Sequence, residues 1–340
     1  MKYTILGKTG LRVSRTAFGA LPIQRVDDGT AVEILHRAYD GGINFYDTAR
    51  AYSDSEHKLG LAFCDRRDKI VIASKTSGTT PAELQSQLET TLGNLRTDYL
   101  DLLQFHNPKA LPDDGMMAWV TDVMSKGYVR HIGITFHPAG LARDAVRSGL
   151  FETLQYPFSC LSGDEEVTLA QSCADAGMGF IAMKAMAGGL ISNVPANFAY
   201  IRQYEHIVPI WGVQRMSELE QFLGLEEGSG MSPQDMQSGI IADRAALDGR
   251  FCRGCGYCKP CPAEIPLEMA SRMDLFLRRG VWQDLLSPAW QKQMAKIEDC
   301  ISCGACNTRC PYGLEPQKLI IEQWEYYQNF MREKGVERVV

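Results

Sequence analysis

The chain has 340 residues, enough for one large domain and an appendage, and 45% of them are hydrophobic, as expected of a protein with an ordinary buried core. A formal charge of -6 with no basic tract argues against nucleic acid or an anionic membrane surface as the main partner. No window approaches the about 20 apolar residues of a membrane span, and Met1-Lys2-Tyr3-Thr4-Ile5-Leu6-Gly7 enters folded sequence without an apolar leader core, so a cytoplasmic protein is expected.

From Lys2 to Val13 two short strands flank the turn Gly7-Lys8-Thr9-Gly10. Beyond it, strands alternate with amphipathic helices. Strands are expected near Arg15 to Ala20, Ile43 to Tyr46, Ile70 to Ser74, Tyr99 to Phe105, Val129 to Ile134, Phe151 to Gln155, Gly179 to Met183 and Ile207 to Trp211. The helices between them run from Thr30 to Tyr39, Ser55 to Cys64, Pro81 to Leu95, Asp113 to Lys126, Pro138 to Ser148, Asp164 to Ala176, Ala196 to Tyr204 and Ser217 to Leu225. Pro81 suits a first helical position with Thr80 as its cap. Eight such repeats predict an α/β protein built on a (β/α)8 TIM barrel. A doubly wound open sheet is the alternative, but no Gly-x-Gly-x-x-Gly follows the first strand.

Three strands deliver a polar group at their carboxyl ends, where a barrel of this kind places its active site. Ile43-Asn44-Phe45-Tyr46 leads into Asp47, with Tyr52 five positions later on a loop; Ile70-Val71-Ile72-Ala73-Ser74 leads into Lys75; and Tyr99-Leu100-Asp101-Leu102-Leu103-Gln104-Phe105 leads into His106. Together they suit carbonyl reduction. A phenol with a pKa near 10 donates poorly at neutral pH, and a neighbouring ammonium lowers that pKa. Lys75 is placed to do so, Asp47 to pair with Lys75, and His106 to orient the carbonyl.

These stretches resemble the aldo/keto reductase family. Tyr3 to Gly19 is similar to its opening, and GINFYDTARAY, IASKT and LLQFH match its catalytic motifs in order. The resemblance covers roughly the first two thirds of the chain. It implies Tyr52 as the general acid, Lys75 and Asp47 as its tuning pair and His106 as the carbonyl-orienting residue, with the opening hairpin across the barrel's amino-terminal mouth. It also implies an NAD(P)H cofactor held after the later strands. Thr135 and Gln155 match the family's serine and glutamine at the carboxamide, while Phe136 stands where many members have Asn. Gly188 and Gly189 fall in a loop similar to the one whose backbone approaches the pyrophosphate. After the last strand come Gly212, Gln214, Arg215 and Glu218; many NADPH-using relatives carry Pro at Trp211, Arg at Glu218 and Asn at Phe222. An acid near the ribose disfavours a 2′-phosphate, so NADH is expected to serve at least as well. His137, Trp119 and Phe158 are candidates for the substrate loops.

The sequence texture changes after Glu226, which divides the chain into a barrel domain at 1–226 and a small helical ferredoxin-like iron-sulfur domain at 227–340. A helix from Pro233 to Leu247 comes first. Of eleven cysteines, Cys64, Cys160 and Cys173 are scattered and read as buried or inert, and eight fall in two runs. Cys252, Cys255, Cys258 and Cys261 form the first, and Cys300, Cys303, Cys306 and Cys310 the second, which has the two-cluster ferredoxin spacing. That pattern shares ligands across two [4Fe-4S] clusters: Cys252, Cys255, Cys258 and Cys310 for one, and Cys300, Cys303, Cys306 and Cys261 for the other. Structural zinc is the alternative. Helices are expected from Leu267 to Arg278, Ala289 to Ile297 and Lys318 to Lys334, the last packed through Trp324, Tyr326, Tyr327 and Phe330.

The leading reading is an oxidoreductase acting on a small-molecule carbonyl or alcohol. The alternatives are an iron-sulfur electron carrier that uses the barrel as a docking scaffold, and a barrel serving a redox partner protein. The clusters are either redox-active or structural.

Overall fold

The computed structural model describes residues 1–340 except Ser229, Asp248, Gly249, Arg250, Arg253, Cys255, Gly280, Val281, Pro311 and Val340. By its internal contacts the chain divides into two units, Met1–Ala187 with Asn193–Ile240, and Gly188–Ser192 with Ile241–Val340.

In the first unit β1 (Tyr3–Ile5) and β2 (Arg12–Ser14) form an antiparallel hairpin. Eight parallel strands follow: β3 (Ala17–Gly19), β4 (Phe45–Asp47), β5 (Val71–Thr76), β6 (Leu100–His106), β7 (Val129–Thr135), β8 (Thr153–Pro157), β9 (Gly179–Met183) and β10 (Ile207–Gly212). They close into a barrel in chain order, β10 pairing with β3. Helices α1 (Asp28–Asp40), α2 (Ser55–Phe63), α3 (Pro81–Leu95), α4 (Asp114–Ser125), α5 (Ala139–Ser148), α6 (Asp164–Asp175), α7 (Val194–Arg202) and α8 (Met216–Glu227) alternate with the strands, the (β/α)8 architecture expected from the sequence. Side-chain caps fix several helix starts: Asp27 accepts from Thr30 N, Thr80 from Glu83 N and Asp113 from Met116 N.

Strand residues alternate between two cores. One face, with Phe18, Tyr46, Ile72, Leu103 and Phe105, packs under the helices. The other fills the barrel with Ala17, Phe45, Val71, Ala73, Leu102, Ile181, Val208 and Ile210, and the hairpin adds Leu6 and Val13. Those two residues meet side chains from the first halves of the strands, so the hairpin plugs the amino-terminal end. Gly7 is required there, since a Cβ on it would stand 2.1 Å from Gly179 N and its φ is +53°.

The second unit builds its own core on Ile265, Leu267, Met273, Leu277, Met294 and Ile297. Its helices are α10 (Leu267–Ala270), α11 (Met273–Arg279), α12 (Trp282–Leu285), α13 (Pro288–Ala295), α14 (Ala305–Thr308) and α15 (Pro316–Glu333); the division between the units falls within the preceding helix, α9 (Pro233–Leu247). The single helix expected from Leu267 to Arg278 is interrupted. Ser271 N bonds Leu267 O while Arg272 N bonds Met269 O, a tighter turn that breaks the α-helical ladder. On α15, Ile320, Trp324, Tyr327 and Met331 form one buried stripe. Tyr327 donates to Leu285 O (2.6 Å) and Trp324 to Glu298 (3.1 Å), while Tyr326 and Phe330 are half-buried at the core's margin. No helix among the described residues is long and apolar enough to cross a membrane.

Candidate functional site

Period-two alternation carries the barrel's interior from apolar to polar toward the carboxyl ends of the strands. Phe45 is followed on the same face by Asp47, Ala73 by Lys75, and Leu102 by Gln104 and then His106. Lys75 Nζ lies 2.5 Å from Asp47 Oδ1 and 2.7 Å from the Thr48 carbonyl. Asp47 also accepts from Gln104 (3.2 Å) and Gln155 (3.4 Å), and Gln104 donates to Gln155 Oε1 at 2.8 Å. Tyr52, on the loop after β4, lies beside Lys75. Its ring centroid is 5.1 Å from Lys75 Nζ and 5.8 Å from the edge-on ring of His106. Asp47, Tyr52, Lys75 and His106 thus share one site.

Burial pushes the Tyr52 phenol up, with Lys75 pulling it down and Asp47 adding to the rise. The lowering expected from Lys75 is present, but burial outweighs it, and the phenol stays protonated at neutral pH. Burial opposes the charge of Lys75, yet Asp47 and Tyr52 together hold its ammonium above the usual lysine range. His106 is pushed down to about 3, first by burial and then by Lys75, so its imidazole is neutral. His137, with Nδ1 3.3 Å from Asn107 Oδ1, is likewise held at about 3 by burial, Lys184 and His106.

Two residues of this neighbourhood escaped the sequence reading. Gln104 was legible as the position two before His106 on the same strand face. Glu56, 1% exposed, accepts from Ser74 (2.7 Å), Thr91 (2.8 Å) and Asn94 (3.2 Å) and pairs with Arg50. Because Arg50 N bonds Lys75 O at 3.0 Å, this buried carboxylate braces the loop that carries Tyr52. Trp119 and Phe158 are not exposed on substrate loops: Trp119 donates to Gln85 on α3, and Phe158 packs in the core against Phe180 and Tyr204.

Thr135 pairs in register with His106 on one side and Gln155 on the other. Its Oγ1 is buried without a hydrogen-bond partner, a polar group suited to a ligand's amide. Gly212 ends β10. Gln214 N and Arg215 N donate to Glu218 Oε2 (3.0 and 3.3 Å), and Arg215 Nε lies 3.3 Å from Glu218 Oε1, so that acid caps its own helix. Trp211 is stacked between Phe198 and Phe222 as core. Gly188 and Gly189, with φ of +73° and +90°, group with the second unit, where Ser192 N and Oγ donate to Asp243 at 3.0 and 2.6 Å.

In the second unit one cavity is lined by Cys258, Cys261, Cys300, Cys303 and Cys306 among apolar neighbours such as Ile265 and Ile320. Cys261 lies with the second run, and so does Cys258, which the shared-ligand pattern assigns to the other cluster. Soft thiol donors in an apolar cavity fit an iron-sulfur cluster. Cys252 accepts from Gly254 N at 3.3 Å, Cys310 is half-buried, and Cys255 lies outside the described residues. Cys160 and Cys173 are buried, the latter pushed up to about 12 by burial, whereas Cys64 is exposed rather than buried.

Comparisons with known proteins agree with this architecture. The uncharacterized oxidoreductase YrpG of Bacillus subtilis is 32% identical over 226 residues, spanning 57% of this chain and 69% of that protein. The aldo-keto reductase dtxS3 of Metarhizium robertsii is 30% identical over 244 residues, 57% of this chain and 66% of its own length. The holo form of the aldo-keto reductase AKR11C1 from Bacillus halodurans superposes with a TM-score of 0.65 at 20% identity, covering 72% of this chain and 96% of that one, which speaks for the fold alone. A 4Fe-4S dicluster domain model matches residues 251–315. With the Aldo/keto reductase family model matching residues 16–197 as well, the chain belongs to the aldo/keto reductase family and carries a 4Fe-4S dicluster domain behind its barrel.

Proposed function

We propose that the chain is an NAD(P)H-dependent reductase of small carbonyl compounds, with the barrel at 1–226 carrying the chemistry and 227–340 carrying two [4Fe-4S] clusters, in the cytoplasm. The observation that carries this reading is the buried Tyr52–Lys75–Asp47 chain beside a neutral His106. A bound dihydronicotinamide supplies the hydride that reduces the carbonyl carbon. Neutral His106 donates a hydrogen bond to the carbonyl oxygen and orients it. Tyr52 gives the proton that turns the developing alkoxide into the alcohol, and Lys75 stabilises the phenolate left behind. Asp47, fixed by Gln104 and Gln155, holds Lys75 in place. Thr135 Oγ1 and Gln155 are the carboxamide contacts, and Gly188, Gly189, Gly212, Gln214, Arg215 and Glu218 the candidates along the rest of the dinucleotide.

Cys252, Cys255, Cys258 and Cys310 would hold one cluster and Cys300, Cys303, Cys306 and Cys261 the other. The second unit has an apolar core of its own, which supports a redox role over a purely structural one. Hydride transfer moves two electrons at once, so carbonyl reduction does not require the clusters, which would supply a separate one-electron path to a partner protein.

Tyr52→Phe tests the barrel chemistry. Assayed anaerobically on a carbonyl panel with both nicotinamides, it is expected to lose roughly 10²–10⁴-fold in kcat while binding nicotinamide normally; wild-type turnover would sink the assignment.

A further inference from the structure

The turn that carries Cys252 is pressed against a positive charge. Gly254, two residues on, has a φ of +63°, and its N–H donates to Cys252 Sγ at 3.3 Å. A methyl group on Gly254 would stand 2.3 Å from Cζ of Arg272 and 2.5 Å from both of its terminal nitrogens, so the guanidinium lies directly against the glycine's α-carbon. The break between α10 and α11 puts it there, and Arg272 Nε anchors on the Glu268 carbonyl at 3.0 Å. The neighbouring charges Lys259 and Glu268 pair with each other. Only glycine leaves room for this approach.

The geometry points to Arg272 as the residue that sets the reduction potential of the cluster held by the first cysteine run. The inference rests on the two-cluster reading above. An added electron makes a cluster more negative, and a fixed cation beside the turn that carries Cys252 favours that reduced state over the oxidised one. No charged side chain lines the cavity of Cys300, Cys303 and Cys306 among the described residues, so Arg272 acts on the two potentials unequally.

The test is an anaerobic redox titration of the reconstituted full-length protein followed by electron paramagnetic resonance. Arg272→Gln is expected to shift the first cluster's reduction equilibrium at least about tenfold toward the oxidised form, roughly 59 mV for one electron, and to leave the other cluster in place. Unchanged potentials, or equal shifts of both clusters, would overturn the assignment. Arg272→Lys keeps the charge and is expected to titrate near wild type. A tenfold shift in it would overturn the assignment too, and it decides the matter even where Arg272→Gln fails to assemble its cluster. Iron analysis of the wild-type protein comes first: fewer than two clusters overturns the two-cluster reading itself, and this inference with it.

Discussion

Replacing Asp47 by Asn removes the countercharge from an ammonium that has no water to turn to. The side chains of Lys75 and Asp47 are 1% and 2% exposed, and their contact is 2.5 Å. Without the carboxylate, Lys75 keeps the Thr48 carbonyl. The asparagine also offers one acceptor oxygen where Lys75, Gln104 and Gln155 now share two. Breaking one side of a buried pair costs roughly 3–5 kcal/mol. In a unit of about 230 residues each kcal/mol moves Tm by about 2–4 °C, so the expected fall is on the order of 6–20 °C. The double variant Asp47→Asn with Lys75→Met removes both charges. It is expected to recover most of that stability while remaining inactive, because a buried pair replaced by neutral groups is often close to neutral in free energy. Thermal and urea unfolding by circular dichroism measure both. A single variant within about 0.5 kcal/mol of wild type, or a double variant no more stable than the single, would show that Asp47 is not needed as the countercharge of Lys75.

His106 and His137, at about 3 in the fold against 6.5 as ordinary imidazoles, bind protons more readily when the chain unfolds. Stability is therefore lost as pH falls from about 6.5 toward 3; after discounting for partial exposure, about 1–2 kcal/mol per histidine disappears between pH 7 and 5. Urea unfolding of Gln variants at each position should show a flatter slope than wild type, and identical slopes would contradict neutral imidazoles. NADH is expected to match or exceed NADPH in kcat/KM, and Glu218→Arg to move the ratio about tenfold toward NADPH; a strong wild-type preference for NADPH would place a phosphate site elsewhere, Arg215 first. Replacing Cys303 and Cys306 with Ser should lower the iron content from about eight to about four per chain and abolish reduction driven by a low-potential donor while sparing the nicotinamide-driven reaction. Equal loss of both reactions with a lowered Tm would favour a structural role.

The barrel was legible because its signals are local. Pro81 and Thr80 set the start of α3, which ends at Leu95 as expected, and β9 occupies the residues foreseen for it. The site was legible because its polar residues sit at the ends of apolar runs. What the sequence hides depends on three-dimensional context. Glu56 looks like an ordinary helix-start acid until Ser74, Thr91, Asn94 and Arg50 converge on it. Glu218 reads as a ribose contact, yet its carboxylate is taken up by the backbone of Gln214 and Arg215. The net rise in the Tyr52 pKa depends on how much protein covers the ring, which spacing does not encode. The interruption at Ser271 and Arg272 leaves no Gly or Pro to announce it.

Closure of the barrel sets a timetable for its birth on the ribosome. β3 finds one of its two neighbours in β10, about 190 residues further along the chain. At typical synthesis rates of about 5–20 residues per second, roughly 10–40 s separate the emergence of these two strands. Through that interval one side of β3 exposes unpaired backbone N–H and carbonyl groups, the kind of edge that recruits other chains. The hairpin plug has emerged by then but has no finished floor to close, since Leu6 belongs to a core that includes Ile181 and Val208. Aggregation during expression should therefore depend on how fast residues 180–212 follow, and slowing translation just ahead of β9 is the way to expose it.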